Sequence, residues 1–134
     1  VLSVDLLPKP AAFPAFGPAP KAYRIRRLRS LNAQPAVLEE IWLDGDQAAQ
    51  LSTSELSHSL YLYYRNVLKL WITEAEDQLG LEPVPQWAPD GFEPTPGTPC
   101  LFAARLSRSQ TGETVEYSQN WIDTNVARYV ARIK

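Results

Sequence analysis

Two arginines two residues apart, Arg27 and Arg29, are the side chains whose type and spacing point most clearly to chemistry. Side chains on a β-strand alternate between its faces, so on a strand both guanidiniums lie on the same side. Neighbouring cations repel each other unless an anion sits between them. The sequence allows two interpretations: the pair is solvated on an open sheet face, or it forms a fork for a phosphate or carboxylate.

Four further side chains can complete such a site. Glu39 and Glu116 are either cross-strand partners of the arginines or a carboxylate pair that accepts hydrogen bonds from ligand hydroxyls or an ammonium group. Ser59 and Tyr61 lie in the first turn of a predicted helix, and both carry hydroxyl donors. A helix start favours an anion because it presents unpaired N–H groups and the positive end of the dipole. Ser59 alone is also typical of a helix cap.

The arginines are positioned by a predicted β-hairpin whose strands span residues 21–31 and 35–43. Asn32, Ala33 and Gln34 supply the turn between them. A three-residue loop puts Arg27 opposite Glu39 on one face, whereas a two-residue loop puts them on opposite faces. We predict the three-residue loop.

The remaining pattern predicts one helix and several more strands. Apolar residues at helical spacing over residues 56–68 indicate a helix of about ten to fourteen residues that begins at Ser57 or Ser59. Further strands are predicted at residues 1–7, 71–81, 100–107, 114–122 and 126–133, with Trp71 in the core of a half-buried strand. The proline-rich segment 8–20 is expected to be an ordered loop held by Phe13 and Phe16, and 83–99 a second irregular connection. The fold class is therefore α+β, an antiparallel sheet of six or seven strands with few flanking helices.

The composition excludes several classes of protein. A chain of 134 residues with a net charge of -2 and a pI of about 5.4 suits one domain and does not favour a nucleic-acid or membrane surface as partner. The single cysteine, Cys100, excludes an internal disulfide framework and is expected to be a small buried hydrophobe. The only histidine, His58, has no cysteine or acidic array near it, so we predict no metal site and no cofactor. No catalytic motif of high specificity occurs.

Methionine is absent from the sequence, so we expect the chain to be a processed piece or an excised domain, with a segment missing upstream.

Three motifs in order resemble the UTRA domain family. The run from Arg27 to Arg29, followed by Pro35 and Glu39, resembles the family's opening hairpin. The tripeptide Ser59-Leu60-Tyr61 is similar to its SLY signature at a helix start, and the run from Thr111 to Ser118 is similar to its late hairpin. The resemblance covers residues 1 to about 129, which makes the whole chain, 1–134, one UTRA-type domain.

The resemblance implies a chorismate-lyase-like fold and a role as the effector-sensing half of a GntR-family bacterial transcription regulator. It implies a cytoplasmic homodimer that contacts DNA only through a winged helix-turn-helix domain, which is expected to precede this chain. In family members that sense phosphorylated amino sugars, the two arginines, the serine and the tyrosine bind phosphate while two glutamates hold the sugar. The effector-binding residues implied here are Arg27, Arg29, Glu39, Ser59, Tyr61 and Glu116, and the ligand is a small anionic metabolite such as a sugar phosphate.

Two alternatives stay open at this point. Ile122 stands where the family often has an aromatic side chain that closes over the ligand, which is compatible with a pure dimerisation module whose pocket has degenerated. An enzyme of the chorismate-lyase type shares the fold and also grips a carboxylated substrate with arginine, but this alternative depends on fold analogy alone. We predict a ligand sensor and not an enzyme.

Overall fold

A computed structural model describes residues 1–56 and 59–133. Ser57 and His58 lie outside the described residues, and with them the predictions that involve them. Six strands form one antiparallel sheet, as the α+β prediction requires. Their bounds in chain order are β1 Ser3–Pro8, β2 Lys21–Leu31, β3 Gln34–Asp44, β4 Ile72–Pro83, β5 Pro99–Ser109 and β6 Thr114–Ile122. The spatial order is β1-β2-β3-β6-β5-β4, so β1 and β4 are the edge strands.

The hairpin between β2 and β3 has the predicted cross-strand pairing but not the predicted loop. The loop has two residues, Asn32 and Ala33, whose φ angles of 51° and 66° fit a type I′ turn. The three-residue prediction is therefore wrong. A bulge between Arg29 and Ser30 shifts the register by one residue, and Arg27 consequently lies directly opposite Glu39.

The helix between β3 and β4 is shorter than predicted. It consists of α1, Leu60–Tyr63, which continues into a π-helical turn over Tyr64–Leu68. The helix ends early because Lys69 adopts a left-handed conformation with φ of 56°. Ser59 is its N-cap, as predicted, and two short 3₁₀ turns, Gly45–Gln47 and Thr53–Glu55, lead into it.

One face of the sheet is covered by the two proline-rich connections. Phe13 and Phe16 hold the first connection against Trp42 and Tyr117, which confirms the prediction of an ordered loop. The second connection packs on the same face, in a cluster that contains Val84, Phe92, Cys100, Phe102 and Trp121. Cys100 is buried there, as predicted.

The opposite face is only partly covered. Helix α1 and the π-helical turn pack over one half, where Leu56, Leu60 and Tyr64 meet Ile25 and Ile41 in the main apolar cluster. No helix among the described residues lies over the other half of this face. Nor does any helix of residues 1–56 and 59–133 have both the length and the apolar character of a membrane span.

Two predictions for the C-terminal half are wrong: the strand at residues 126–133 and the burial of Trp71. Residues 126–133 do not form a strand, because the N–H groups of Val126 and Ala127 both bond to the carbonyl of Asp123 and turn the backbone. The strand predicted at 71–81 exists as β4, but it is exposed along most of its length because it is an edge strand. Trp71, just before it, is 42% exposed and not a core residue.

Candidate ligand-binding site

A cavity of about 400 Å³ lies on the half of the sheet face that the helix leaves open. The structure brings all six predicted site residues to its wall: Arg27, Arg29, Glu39, Ser59, Tyr61 and Glu116. Strand pairing accounts for this. Directly opposed residues in an antiparallel sheet share a face, and Glu39 is opposed by Arg27 on one side and Asn120 on the other.

The two arginines differ in burial and in their contacts with the rest of the protein. Arg27 is buried; its Nε donates to Glu39 Oε1 at 2.6 Å and its Nη1 donates to the Leu56 carbonyl at 2.9 Å. The side chain of Arg29 is 59% exposed, and its Nη1 comes no closer than 3.9 Å to Glu39 Oε2. Arg27 therefore anchors the segment before α1, while Arg29 is the more available cation at the mouth of the cavity.

The start of α1 contributes the hydroxyl groups of Ser59 and Tyr61 to the cavity wall. Ser59 Oγ accepts from the N–H of Leu62 at 3.4 Å, so its own hydroxyl proton remains available as a donor. The hydroxyl of Tyr61 lies 2.9 Å from Ser107 Oγ, which donates to Glu116 Oε1 at 2.9 Å. Because Ser107 has one proton and gives it to the carboxylate, Tyr61 is the donor in its bond to Ser107.

Glu116 is a buried carboxylate in this network. Tyr64 donates to its Oε2 at 2.5 Å, opposite the bond from Ser107. Burial raises the pKa of Glu116 above its usual range, against the lowering effect of these two hydrogen bonds. Burial, reinforced by the charge of Glu116, also raises the pKa values of Tyr61 and Tyr64, so both phenols stay protonated donors.

Five polar cavity residues were missed by the reasoning from sequence: Asp77, Arg105, Ser118, Asn120 and Tyr129. The signal for two of them was available, since Ser118 and Asn120 extend from Glu116 a period-two run of polar residues on a strand face that packing alone would make apolar. Arg105 and Asp77 carried no such signal. They meet only because β5 pairs with β4 in the register that opposes them.

Arg105 and Asp77 form a side-on ion pair. Nε and Nη2 of the guanidinium donate to Oδ1 and Oδ2 at 2.6 and 2.9 Å, and Tyr129 donates its hydroxyl to Oδ2 at 2.6 Å. The hydrogen bonds from Arg105 hold the pKa of Asp77 below its usual range. This pair defines the end of the cavity near β4, opposite the end that Arg27 and Arg29 define.

The cavity is lined by three arginines and three carboxylates, so it has charge of both signs but no large excess of either. Its cations suit an anionic group, and its carboxylates, amide and hydroxyls suit a polar, hydroxyl-bearing body. Among the described residues, no group of three or more His, Cys, Asp or Glu side chains is placed to hold a metal ion.

Comparison with solved structures first defines the class of fold. The ligand-binding domain of a putative GntR-family regulator from Bordetella bronchiseptica superimposes with a TM-score of 0.82, at 20% identity over 98% of this chain and 87% of that one. The effector-binding domain of the Bacillus subtilis trehalose repressor gives a TM-score of 0.75, at 14% identity over 98% and 94%. The fold is that of the effector-binding domains of GntR-type regulators.

The family itself follows from sequence. The UTRA domain family matches residues 1–128, and the chain therefore belongs to it, which confirms the predicted resemblance. The chain is also 48% identical over its full length to the HTH-type transcriptional regulator SmoD of Agrobacterium fabrum strain C58. It spans 57% of that relative's length.

Proposed function

We propose that this chain is the effector-sensing and dimerisation domain of a GntR-family transcription regulator and that its effector is a small anionic metabolite, such as a sugar phosphate. One observation carries the proposal. Two guanidiniums on β2 and the capped start of α1 border the same cavity, which is a combination that suits an anion. The effector-binding residues proposed are Arg27, Arg29, Glu39, Ser59, Tyr61 and Glu116.

The proposed mechanism is a population shift in a cytoplasmic homodimer that binds DNA through a separate winged helix-turn-helix domain. The effector binds one arrangement of the dimer better and so biases the spacing of the DNA-binding domains. Coupling of about 1–3 kcal/mol changes DNA affinity roughly 5–150-fold, so the demand on the ligand is modest. No step of this mechanism requires turnover, and we propose that the chain is not an enzyme.

The dimer part of the proposal is supported by the open edge of the sheet. Strand β4 carries Leu79 and Leu81 at 52% and 71% exposure, which is unusual for leucine on a strand of twelve residues. Light scattering after size exclusion tests it: a mass near twice 15.0 kDa is expected for the chain. A monomer at micromolar concentration contradicts the dimerisation role.

The effector assignment is tested by a thermal-shift panel of inorganic phosphate, hexose 6-phosphates, amino-sugar phosphates and organic acids. A true effector raises the melting temperature by mass action. At a ligand concentration of about a hundred times Kd, it adds about 2.7 kcal/mol to the free energy of unfolding. Arg29→Ala should abolish the shift, whereas Arg108→Ala, which removes an exposed arginine of β5 outside the cavity, should not. An unchanged shift in Arg29→Ala contradicts the anion fork.

A dimerisation module without an effector is the second candidate. It is favoured by the ion pairs within the cavity, since Glu39 already faces both Arg27 and Arg29 and Asp77 already pairs with Arg105. A dimer that responds to no member of the panel would support this candidate over the sensor.

A further inference from the structure

The Arg105–Asp77 pair gives the cavity a second polar end that differs from the first in its charge balance. At the first end, Arg27 and Arg29 both face Glu39, and the side chain of Arg29 is 59% exposed, so its guanidinium is available to an anion. At the second end, one guanidinium faces one carboxylate in a side-on bond, so the pair is electroneutral. The first end suits an anion, and the second suits a neutral polar group.

The unused hydrogen-bonding capacity of the pair matches a hydroxyl group. Asp77 engages Nε and Nη2 of Arg105, and the guanidinium also donates to the hydroxyl of Tyr61. Arginine has five N–H donors, so part of the guanidinium is left to donate to a ligand. A carboxylate accepts about four hydrogen bonds, and Asp77 accepts three, from Arg105 and Tyr129. A donor and an acceptor therefore lie side by side, and a ligand hydroxyl, which both donates and accepts, satisfies the two together.

Tyr129 provides a second observation that points the same way. It lies in the irregular C-terminal segment, and its hydroxyl donates to Asp77 Oδ2 at 2.6 Å at the cavity wall. Asp77 thus already accepts a hydrogen bond from a hydroxyl group while it holds Arg105. A hydroxyl of a bound ligand can donate to the same carboxylate in the same way, while Asp77 keeps its bonds to Arg105.

Asn120 is a polar, uncharged residue of the cavity wall on β6, which lies between β3 and β5. Asn120 uses both N–H groups of its amide, to the Ala103 carbonyl at 3.0 Å and to Ser118 Oγ at 3.1 Å. Its carbonyl oxygen is left as an acceptor for a ligand. Arg27 and Arg105 stand on β2 and β5, three inter-strand steps or about 14 Å apart at the backbone, and their long side chains shorten that span.

We propose, on the basis of the proposed effector function, that Arg105 and Asp77 form a specificity site that recognises hydroxyl groups at the end of the effector remote from its anion. The effector class is then a monosaccharide-sized polyol with one anionic group, bound by the anion at Arg27 and Arg29 and by hydroxyls at Arg105 and Asp77. Asp77 also positions Arg105, since it fixes two of its nitrogens.

The test compares two kinds of probe by isothermal titration calorimetry on the 134-residue chain. Ethyl phosphate carries the anion alone, and a set of hexose 6-phosphates (gluco, manno and galacto) carries the anion and the hydroxyls. The measured quantity is the ratio of Kd for ethyl phosphate to Kd for the tightest hexose 6-phosphate. Arg105→Gln and Asp77→Asn should each lower this ratio roughly 10- to 100-fold while the affinity for ethyl phosphate stays unchanged, because a lost hydrogen bond to a charged group affects only the hydroxylated probes.

Matched controls separate recognition from a general loss of structure. Arg108→Gln and Glu74→Gln alter exposed residues of the same two strands outside the cavity and should keep the wild-type ratio. A wild-type ratio in Arg105→Gln overturns the proposal. A second result also overturns it. If 6-phosphogluconate binds more tightly than any hexose 6-phosphate and Arg105→Gln removes this difference, Arg105 is a second anion site.

The outcomes also distinguish this proposal from the proposed function. If both kinds of probe bind wild type and every variant with the same ratio, only the hydroxyl site is overturned. If neither ethyl phosphate nor any hexose 6-phosphate binds wild type, the anion fork fails and the hydroxyl site fails with it.

Discussion

Arg27 Nε meets Glu39 Oε1 at 2.6 Å across β2 and β3 because one bulge compensates for a loop one residue shorter than the pairing requires. The two-residue loop alone would set the side chains on opposite faces. The bulge after Arg29 restores them to one face, where the pair is buried beneath the segment that leads into α1. The buried Arg27 therefore positions Glu39 in the cavity wall and the segment that precedes α1.

The first prediction concerns the unequal roles of the two cavity arginines. Arg27→Ala leaves Glu39 buried without its closest partner and the Leu56 carbonyl without its guanidinium donor, so we expect a loss of about 3–5 kcal/mol in unfolding free energy. Arg29→Ala should change stability by about 0.5 kcal/mol or less, since Arg29 is exposed. Urea denaturation measures both. Equal losses in the two variants would contradict the assignment of Arg27 as a structural anchor.

A second prediction follows from the loop itself. Ala33 adopts φ of 66°, where a Cβ costs about 1–2 kcal/mol, so Ala33→Gly should stabilise the chain by about 1 kcal/mol and create the Asn-Gly pair typical of a type I′ turn. Gly112→Ala is the converse, because φ there is 85° and an added Cβ meets nothing within 4 Å. Gly112→Ala should therefore lower the free energy of unfolding by about 1 kcal/mol. The shift in denaturation midpoint checks both signs, and a destabilised Ala33→Gly refutes the turn assignment.

Gly17 and Asp44 give a third prediction. Asp44 is fully buried and accepts from Lys9 Nζ at 2.5 Å and from the Ala19 N–H at 3.1 Å. A Cβ at Gly17 would lie 2.2 Å from Asp44 Cγ, so Gly17→Ala must displace the carboxylate that anchors the first proline-rich connection.

Gly97→Ala is the matched control for Gly17→Ala. Its φ of 88° imposes comparable backbone strain, but its Cβ meets nothing within 4 Å. Gly17→Ala should therefore cost at least about 1–3 kcal/mol more than Gly97→Ala in thermal or urea unfolding, the range expected for overpacking. Equal costs would show that strain in φ, and not the clash with Asp44, decides the effect.

The buried carboxyl of Glu116 gives a fourth prediction, on pH. Burial raises its pKa in the folded chain above the unfolded value of 4.5, so between the two values the folded state holds more protons than the unfolded state. Stability from this group is present below pH 4.5 and is lost as pH rises through the folded pKa.

Glu116→Gln keeps the shape and an acceptor but removes the titration. The stability of wild type minus that of the variant should therefore fall as pH rises above 4.5, measured by urea midpoints across a pH series. A difference that rises with pH would mean that the hydrogen bonds from Tyr64 and Ser107 outweigh burial, contrary to the direction inferred here.

The sequence predicted the hairpin better than it predicted the loop that closes it. Strand β2 spans the predicted residues 21–31, and Tyr23 and Ile25 alternate with arginines in its first half. The pairing of Arg27 with Glu39 was predicted from the wrong loop, since a bulge has no reliable sequence signal. The strand predicted at 126–133 is absent although the segment contains Val126, Tyr129 and Val130, because residues that favour strands do not supply a neighbouring strand.

By itself the sequence determined two local features: the shared face of Arg27 and Arg29, and the cap at Ser59. These depend on the two-residue period of a strand and on local hydrogen bonds, which act over a few residues. Only the tertiary structure decided that this face borders a cavity and that Asp77 meets Arg105, 28 residues away. Strand order and the placement of α1 bring these groups together, and both depend on the burial of apolar surface over the whole sheet.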